Sequence, residues 1–174
     1  YLQRYQKYRN TANEIKHLIK GPVLDYGCAV GFMAMALQEL GIEVQGYDLS
    51  PWPIQYGKNT LHADNITDVW SECNDSYQTM LVLDVFEHMT LKDIDQVLSK
   101  VNAPTLIARV PVTNRVGEDF VLAISRRDDT HRICFTKGQW EDIFAMHGYK
   151  LHQILDFKTI WDSEGVLSRI YVKD

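Results

Sequence analysis

The chain predicts an α/β fold, a three-layer sandwich around a mostly parallel seven-stranded sheet. Three observations carry this. Seven short apolar runs that read as strands alternate with helical stretches over most of the 174 residues. The first of them, Val23–Tyr26, runs into a loop of small residues and then a helix. The last two, Leu151–Phe157 and Leu167–Val172, leave no room for an ordinary helix between them, so they should pair antiparallel.

Residues 1–20 read as a leading amphipathic helix, with Leu2, Tyr5, Tyr8, Ala12, Ile15, Leu18 and Ile19 at helical spacing and Gly21-Pro22 as its end. After the strand at Val23–Tyr26, Gly27, Ala29 and Gly31 place small residues at every second position. Phe32–Leu40 is then helical, and Gly41 stops it. Ile42–Asp48 is a second strand that ends in an acid. Ser50-Pro51 opens a helix to about Asn59, with proline suited to the first turn, and His62–Ile66 holds a short third strand. Thr79–Asp84 is a continuous apolar run, as a central parallel strand requires. Leu91–Val101 is a helix, Thr105–Val110 a buried strand, and residues 112–130 are irregular or partly helical. Thr136 caps a helix over Lys137–His147 that Gly148 closes. No internal repeat, low-complexity tract or linker interrupts residues 1–174, which read as one domain: the leading helix 1–20 and a core 21–174.

Composition narrows the function. With 45% hydrophobic residues the chain buries a core and is not a disordered segment. No apolar run approaches the roughly 20 residues that span a bilayer. No signal-peptide pattern opens the chain, although residue 1 is Tyr and that absence carries little weight. Cys28, Cys73 and Cys134 are odd in number and widely spaced, so neither a disulfide framework nor a Cys-x-x-Cys zinc site is expected, which favours the cytoplasm. The net charge of −5 argues against a long nucleic acid as partner. Arg109, Arg115, Arg126, Arg127 and Arg132 cluster locally; they read as a solvated loop or as a patch for a phosphate or carboxylate on a substrate.

In an open parallel sheet, ligands bind at the carboxyl ends of the strands. This rule places Asp25–Gly31, Asp48, Asp64-Asn65 and Asp84-Val85 around one crevice. A small-residue loop leading into a helix makes a site for a ligand's polar or anionic end. Asp48, about 20 residues beyond the loop, is placed to accept hydrogen bonds from ribose hydroxyls.

The run D-x-G-x-A-x-G over Asp25–Gly31 resembles motif I (acidic-x-G-x-G-x-G) of the class I S-adenosylmethionine-dependent methyltransferases, with Ala29 at the middle glycine. Leu83–Met89 is similar to the "evlEHv" segment of the group that includes the ubiquinone-biosynthesis O-methyltransferases. Asp129–His131, Phe135-Thr136, Trp140 and Gly148-Tyr149 resemble its later H-x-x-x-F-T…W…G-F stretch. The resemblance runs from about Lys20 onward. It implies a Rossmann-like sheet of order 3-2-1-4-5-7-6 with an antiparallel last strand, and S-adenosylmethionine as cofactor. Asp25, Gly27, Cys28, Ala29 and Gly31 would hold the methionine end, with Tyr5 or Tyr8 as cover or as plain core aromatics. Asp48 would hold the ribose and Asp64 and Asn65 the adenine, and Leu49, Asp84 and Val85 would complete the set.

The cofactor carries the difficult chemistry of methyl transfer; the protein aligns the acceptor and takes its proton. His88 is the candidate base, with His131 and Glu87 as partners. Asp84, Glu87, His88 and His131 also resemble the acid-x-x-Glu-His…His set with which some methyltransferases hold Mg²⁺ or Mn²⁺. The strand-four end lacks the [DNS]-P-P-[YFW] run of base amino-methyltransferases, which argues against a flipped DNA base. Residues 111–131 and the leading helix are expected to shape an acceptor site for a small molecule, with Phe120, Trp52 and Trp161 as its lining or as packed aromatics. O-methylation is favoured over N-methylation. The alternatives are metal-assisted 2′-O-methylation of an RNA end and a cofactor-binding scaffold without turnover.

Overall fold

A computed structural model of the chain describes residues 2–73 and 76–173, the Leu2 side chain excepted. Tyr1, where the predicted leading helix begins, lies outside the described residues. In chain order the elements are α1 (Leu2–Ile15), β1 (Val23–Tyr26), α2 (Phe32–Glu39), β2 (Val44–Tyr47), α3 (Pro51–Tyr56), β3 (Ile66–Thr67), β4 (Thr79–Leu83), α4 (Leu91–Lys100), β5 (Thr105–Pro111), α5 (Ala123–Arg126), α6 (Lys137–Met146), β6 (Lys150–Ile154) and β7 (Val166–Val172). The strands form one sheet in the order β3-β2-β1-β4-β5-β7-β6. β2 runs parallel to β1 and to β3, and β7 runs antiparallel to β5 and β6. This is the predicted α/β architecture, strand order included. The chain divides into two compact units, residues 1–81 and 82–174.

In the first unit α1 lays Ala12 and Ile15 into the core, and its Tyr5 and Tyr8 rings meet Phe32 of α2 at 5.5 and 5.6 Å. Arg9 and the Tyr5 hydroxyl both engage Glu39 at the far end of α2. Tyr5 and Tyr8 are thus aromatics of the α1–α2 contact. Val23, Leu24, Leu37, Ile54, Met80 and Leu81 are fully buried. Removing each from water contributes about 1.5–3 kcal/mol, which is what holds these short strands together.

Packing in this unit is tight where glycines let backbones approach. A Cβ on Gly46 of β2 would lie 2.8 Å from Cys28 Sγ and 2.8 Å from Ile66 Cγ2. One on Gly57, just after α3, would lie 2.5 Å from the Val30 carbonyl oxygen and 2.6 Å from Ile66 Cδ1. α3 is shorter than the predicted helix: the chain opens into a wide π turn over Gly57–Leu61. The third strand is two residues long and starts at Ile66, where the predicted one ends.

In the second unit Phe86, Trp140 and Phe144 stack, and Phe144 meets Tyr171 of β7 at 4.8 Å. Capping boxes start both longer helices: Thr90 with Asp93 for α4, and Thr136 with Gln139 for α6. Each satisfies amides that an uncapped helix leaves bare. Asp162 accepts from the Ser168 amide and from Arg169, and pairs with Lys137, tying α6 to β7. Leu83 leads directly into a tight 3₁₀ turn at Phe86–His88, which sets the side chains described below.

The glycine contacts predict opposite outcomes for two substitutions. Gly57→Ala should destabilise the chain by about 1–3 kcal/mol through overpacking against backbone. Gly138→Ala, on the exposed face of α6 with its nearest contact at 3.9 Å, should stabilise it by about 0.5 kcal/mol. Urea titrations of both variants check the signs.

Candidate functional site

β1 delivers Asp25 and Tyr26 to the loop that begins at Gly27. Gly27, Ala29 and Gly31 all have positive φ, at 77°, 48° and 87°. Ala29 therefore occupies the left-handed region at a cost of roughly 1 kcal/mol that glycine would not incur. Its amide donates to Asp48 Oδ2 at 2.9 Å, which holds the conformation. The Gly27 and Cys28 amides donate to the Tyr47 carbonyl at 2.7 and 3.0 Å, and the Gly31 amide to the Cys28 carbonyl at 2.8 Å. Four loop amides are thus engaged within the protein. The Cys28 and Gly31 carbonyls already accept from the Gly31 and Met35 amides, and the second lone pair of each carbonyl oxygen suits a cationic or donating group. Burial pushes the Cys28 thiol up, so it packs as an unreactive group.

Asp25 is buried, and its Oδ2 has no hydrogen-bond partner. Burial raises its pKa from 3.8 to about 7, against the opposing pull of the Ala34 amide in the first turn of α2. An orphaned carboxyl oxygen beneath a loop rich in carbonyls fits an ammonium group.

Asp48 closes β2. Its Oδ2 holds the Ala29 amide and its Oδ1 the Ser50 amide at 2.8 Å. Each carboxylate oxygen has a second lone pair, so ribose hydroxyls still find acceptors there. Leu49 beside it is exposed, as is Trp52, which stacks on Tyr56 at 5.7 Å.

Asp64 and Asn65 depart from the expected place. They precede β3, so they sit at its amino end and not at its carboxyl end. The Asn65 amide group donates to the Ala34 and Val44 carbonyls, a structural brace. Both residues line a cleft of about 330 Å³ with Pro22, Glu43 and Gln45, whose lining does not include Asp48. The residue at the carboxyl end of β3 is Asp68. The Asp48 amide donates to the neighbouring Thr67 carbonyl at 3.1 Å, and Trp70 packs edge-on against Tyr26 and Tyr47. A two-residue shift of the third strand would have singled out Asp68.

In the second unit Asp84 has a left-handed backbone, φ 59°, and its carboxylate pairs with Arg109 on β5. Among the described residues the group whose ligand atoms converge is Glu87, His88 and His131, within 4.8 Å of one another. Asp84 is not in it, which corrects the four-residue ligand set, and Val85 only leads into the turn that carries Glu87 and His88. The three meet because the Glu87 carbonyl accepts from the Arg132 and Ile133 amides at 2.7 and 3.2 Å, clamping the later loop to the turn. The imidazoles of His88 and His131 stand edge to face at 4.6 Å, and Phe120 covers His131 at 4.9 Å.

Burial pushes the Glu87 carboxyl up to about 8, so it is protonated at neutral pH. Burial, and then His131, pull His88 below its ordinary value, so its ring is neutral. The 3.9 Å approach of His88 Nε2 to Glu87 Oε1 is therefore not an ion pair at pH 7. Glu87 Oε2 and His131 Nδ1 are buried without hydrogen-bond partners. A carboxyl and two imidazoles with orphaned atoms fit a divalent cation as a three-donor set, and equally a proton-transfer site. Arg126 caps the Val121 carbonyl, Arg115 reaches Glu118, and Arg127 and Arg132 are exposed. Phe120 is buried and Trp161 half-exposed.

No described helix is long and apolar enough to cross a membrane. No curated protein matches the chain by sequence. Solved structures resemble it over nearly its whole length. A SAM-dependent methyltransferase from Archaeoglobus fulgidus superposes with a TM-score of 0.72 at 14% identity, covering 97% of this chain and 94% of its own. Magnesium protoporphyrin IX methyltransferase (ChlM) from Synechocystis PCC 6803, with bound SAH, gives 0.67 at 16% identity, covering 99% and 83%. The methyltransferase domain of bacterial CtHen1-C gives 0.66 at 17% identity, covering 98% of each chain. These likenesses are of fold. The model of one methyltransferase-domain family matches residues 3–154, and the chain belongs to that family.

Proposed function

We propose that the chain transfers the methyl group of S-adenosylmethionine to a hydroxyl of a small molecule. The observation that carries the choice of a hydroxyl is the neutral His88 beside Glu87 and His131. A hydroxyl must lose its proton during methylation, and a neutral imidazole takes one at neutral pH. An amine already in its free-base form needs no such group.

When bound, the cofactor supplies an electrophilic methyl on a sulfonium. The residues of this chain hold and orient. Asp25 and the loop carbonyls receive the methionine ammonium, Asp48 receives the ribose hydroxyls, and Leu49 covers that sugar. Asp68 replaces Asp64 and Asn65 as the acceptor for the adenine amino group. His88 Nε2 removes the acceptor's proton, while protonated Glu87 keeps a second negative charge away from it.

A second reading rests on the convergence of Glu87, His88 and His131. These three would hold Mg²⁺ or Mn²⁺, which lowers the pKa of a coordinated hydroxyl. The acceptor would then include a vicinal diol such as an RNA 3′ end. EDTA separates the readings: the first predicts unchanged methyl transfer, the second a loss that added Mg²⁺ or Mn²⁺ restores.

Two further outcomes follow from the roles of single residues. With methyl-labelled S-adenosylmethionine and a panel of hydroxyl acceptors, His88→Ala should lower turnover by about 10²–10⁴-fold and leave S-adenosylhomocysteine binding intact. Asp48→Ala should instead weaken that binding by about 10–100-fold, the worth of hydrogen bonds to a charged group. Wild-type turnover on no hydroxyl, with transfer to amines, would contradict the assignment.

Asp25 adds a pH dependence. Its folded pKa of about 7 exceeds the ordinary 3.8, so the folded chain holds the proton more tightly than the unfolded one. The associated stability is complete below pH 3.8 and is lost as pH rises to 7, by at most about 4 kcal/mol. Asp25→Asn should therefore gain stability relative to wild type over that window, measured by urea melts at stepped pH. S-adenosylhomocysteine, whose ammonium favours the ionised carboxylate, should bind the wild type more tightly at pH 8 than at pH 5.5.

A further inference from the structure

The loop between β5 and α6 carries a short run of polar groups that ends on His88. Asp128 Oδ1 accepts from the Thr130 amide at 3.0 Å and from the Thr130 hydroxyl, and the Thr130 oxygen lies 2.9 Å from His88 Nδ1. A hydroxyl has one proton to give. Both Thr130 donors meet the same Asp128 oxygen, and a carboxylate oxygen accepts only. Turning the hydroxyl proton toward His88 would set two oxygen lone pairs against each other at hydrogen-bond distance. The proton therefore goes to Asp128, and the Thr130 oxygen accepts from Nδ1–H. His88 Nε2 makes no hydrogen bond to Glu87, whose nearer oxygen is 3.9 Å away. The loop is not free to drift from this register, because the Arg132 and Ile133 amides are fastened to the Glu87 carbonyl.

We propose that Asp128 and Thr130 are positioning residues that lock His88 in its Nδ1–H tautomer and so present the Nε2 lone pair to the acceptor. The proposal rests on His88 being the acceptor's base. Free histidine prefers the opposite tautomer, with the proton on Nε2, where it would block the lone pair the reaction needs. A hydrogen bond at one ring nitrogen decides the state of the other. Here a threonine relays the preference of a carboxylate that does not itself touch the ring.

The test is the ¹⁵N spectrum of the histidine rings in the labelled chain, with the His88 signals identified by their loss in His88→Ala. The wild type should show a protonated Nδ1 and an unprotonated Nε2. Thr130→Val, which keeps the shape and removes the hydroxyl, should return His88 to the Nε2–H form, and Thr130→Ser should restore the wild-type pattern. In the methyl-transfer assay Thr130→Val should lower kcat by about 10–100-fold, with KM for S-adenosylmethionine unchanged and Thr130→Ser near wild type. An Nε2–H tautomer in the wild type, or an Nδ1–H tautomer that survives Thr130→Val, overturns the proposal. Methyl transfer that persists in His88→Ala overturns the base assignment instead, and the ring spectra still decide the tautomer.

Discussion

Ile66 fills the space that three glycines leave open. A Cβ on Gly31 or Gly46 would lie 2.8 Å from its Cγ2, and one on Gly57 would lie 2.6 Å from its Cδ1. One branched side chain thereby fixes how closely the loop after β1, the strand β2 and the turn after α3 approach each other. That approach brings the Ala29 amide to the Asp48 carboxylate. Three features of the first unit accompany this packing: a left-handed Ala29, an Asp48 already anchored by two amides, and a buried carboxyl at Asp25. Such interiors adjust poorly to added volume, so the loop is preorganised by apolar contact before any ligand arrives.

Each unit also keeps an acid away from water. Burial raises Asp25 to about 7 in the first and Glu87 to about 8 in the second, and lowers His88 beside Glu87. A neutral isostere would be cheaper to bury than either acid, which makes both groups candidates for function. The two acids differ in use. Asp25 is poised to ionise when a cation approaches. Glu87 is pushed toward its neutral form, which leaves the imidazoles of His88 and His131 as the bases of the cluster.

The sheet was legible because its signals are local and redundant: apolar runs of strand length, helices with caps at Thr90 and Thr136, and two closing strands with no helix between them. The nearness of Asp48 to the loop was legible through its spacing. Asp64 and Asn65 were misplaced because a two-residue strand has no periodicity to locate its ends, and an error of two residues moves an acid from one end of the strand to the other. The Asp84–Arg109 pair joins residues 25 apart across neighbouring strands, and only the register of the sheet creates it. The direction of the loop amides was equally invisible, since the same small residues serve a loop that donates outward and one that donates inward. Sequence assigns no role to Asp128 or to Thr130 within the Asp129–His131 run, because a hydroxyl in a loop acquires a role only from the ring it meets.

The engaged loop amides and the orphaned Asp25 carboxyl of the first unit suit a methyl donor with a cationic amino-acid end and not a dinucleotide phosphate. Calorimetric titration of the wild-type chain with S-adenosylmethionine, S-adenosylhomocysteine and NAD distinguishes the two. Saturable binding of the first two is expected and none of NAD, whose pyrophosphate finds four loop amides already engaged. Binding of NAD with no binding of S-adenosylmethionine would contradict that expectation.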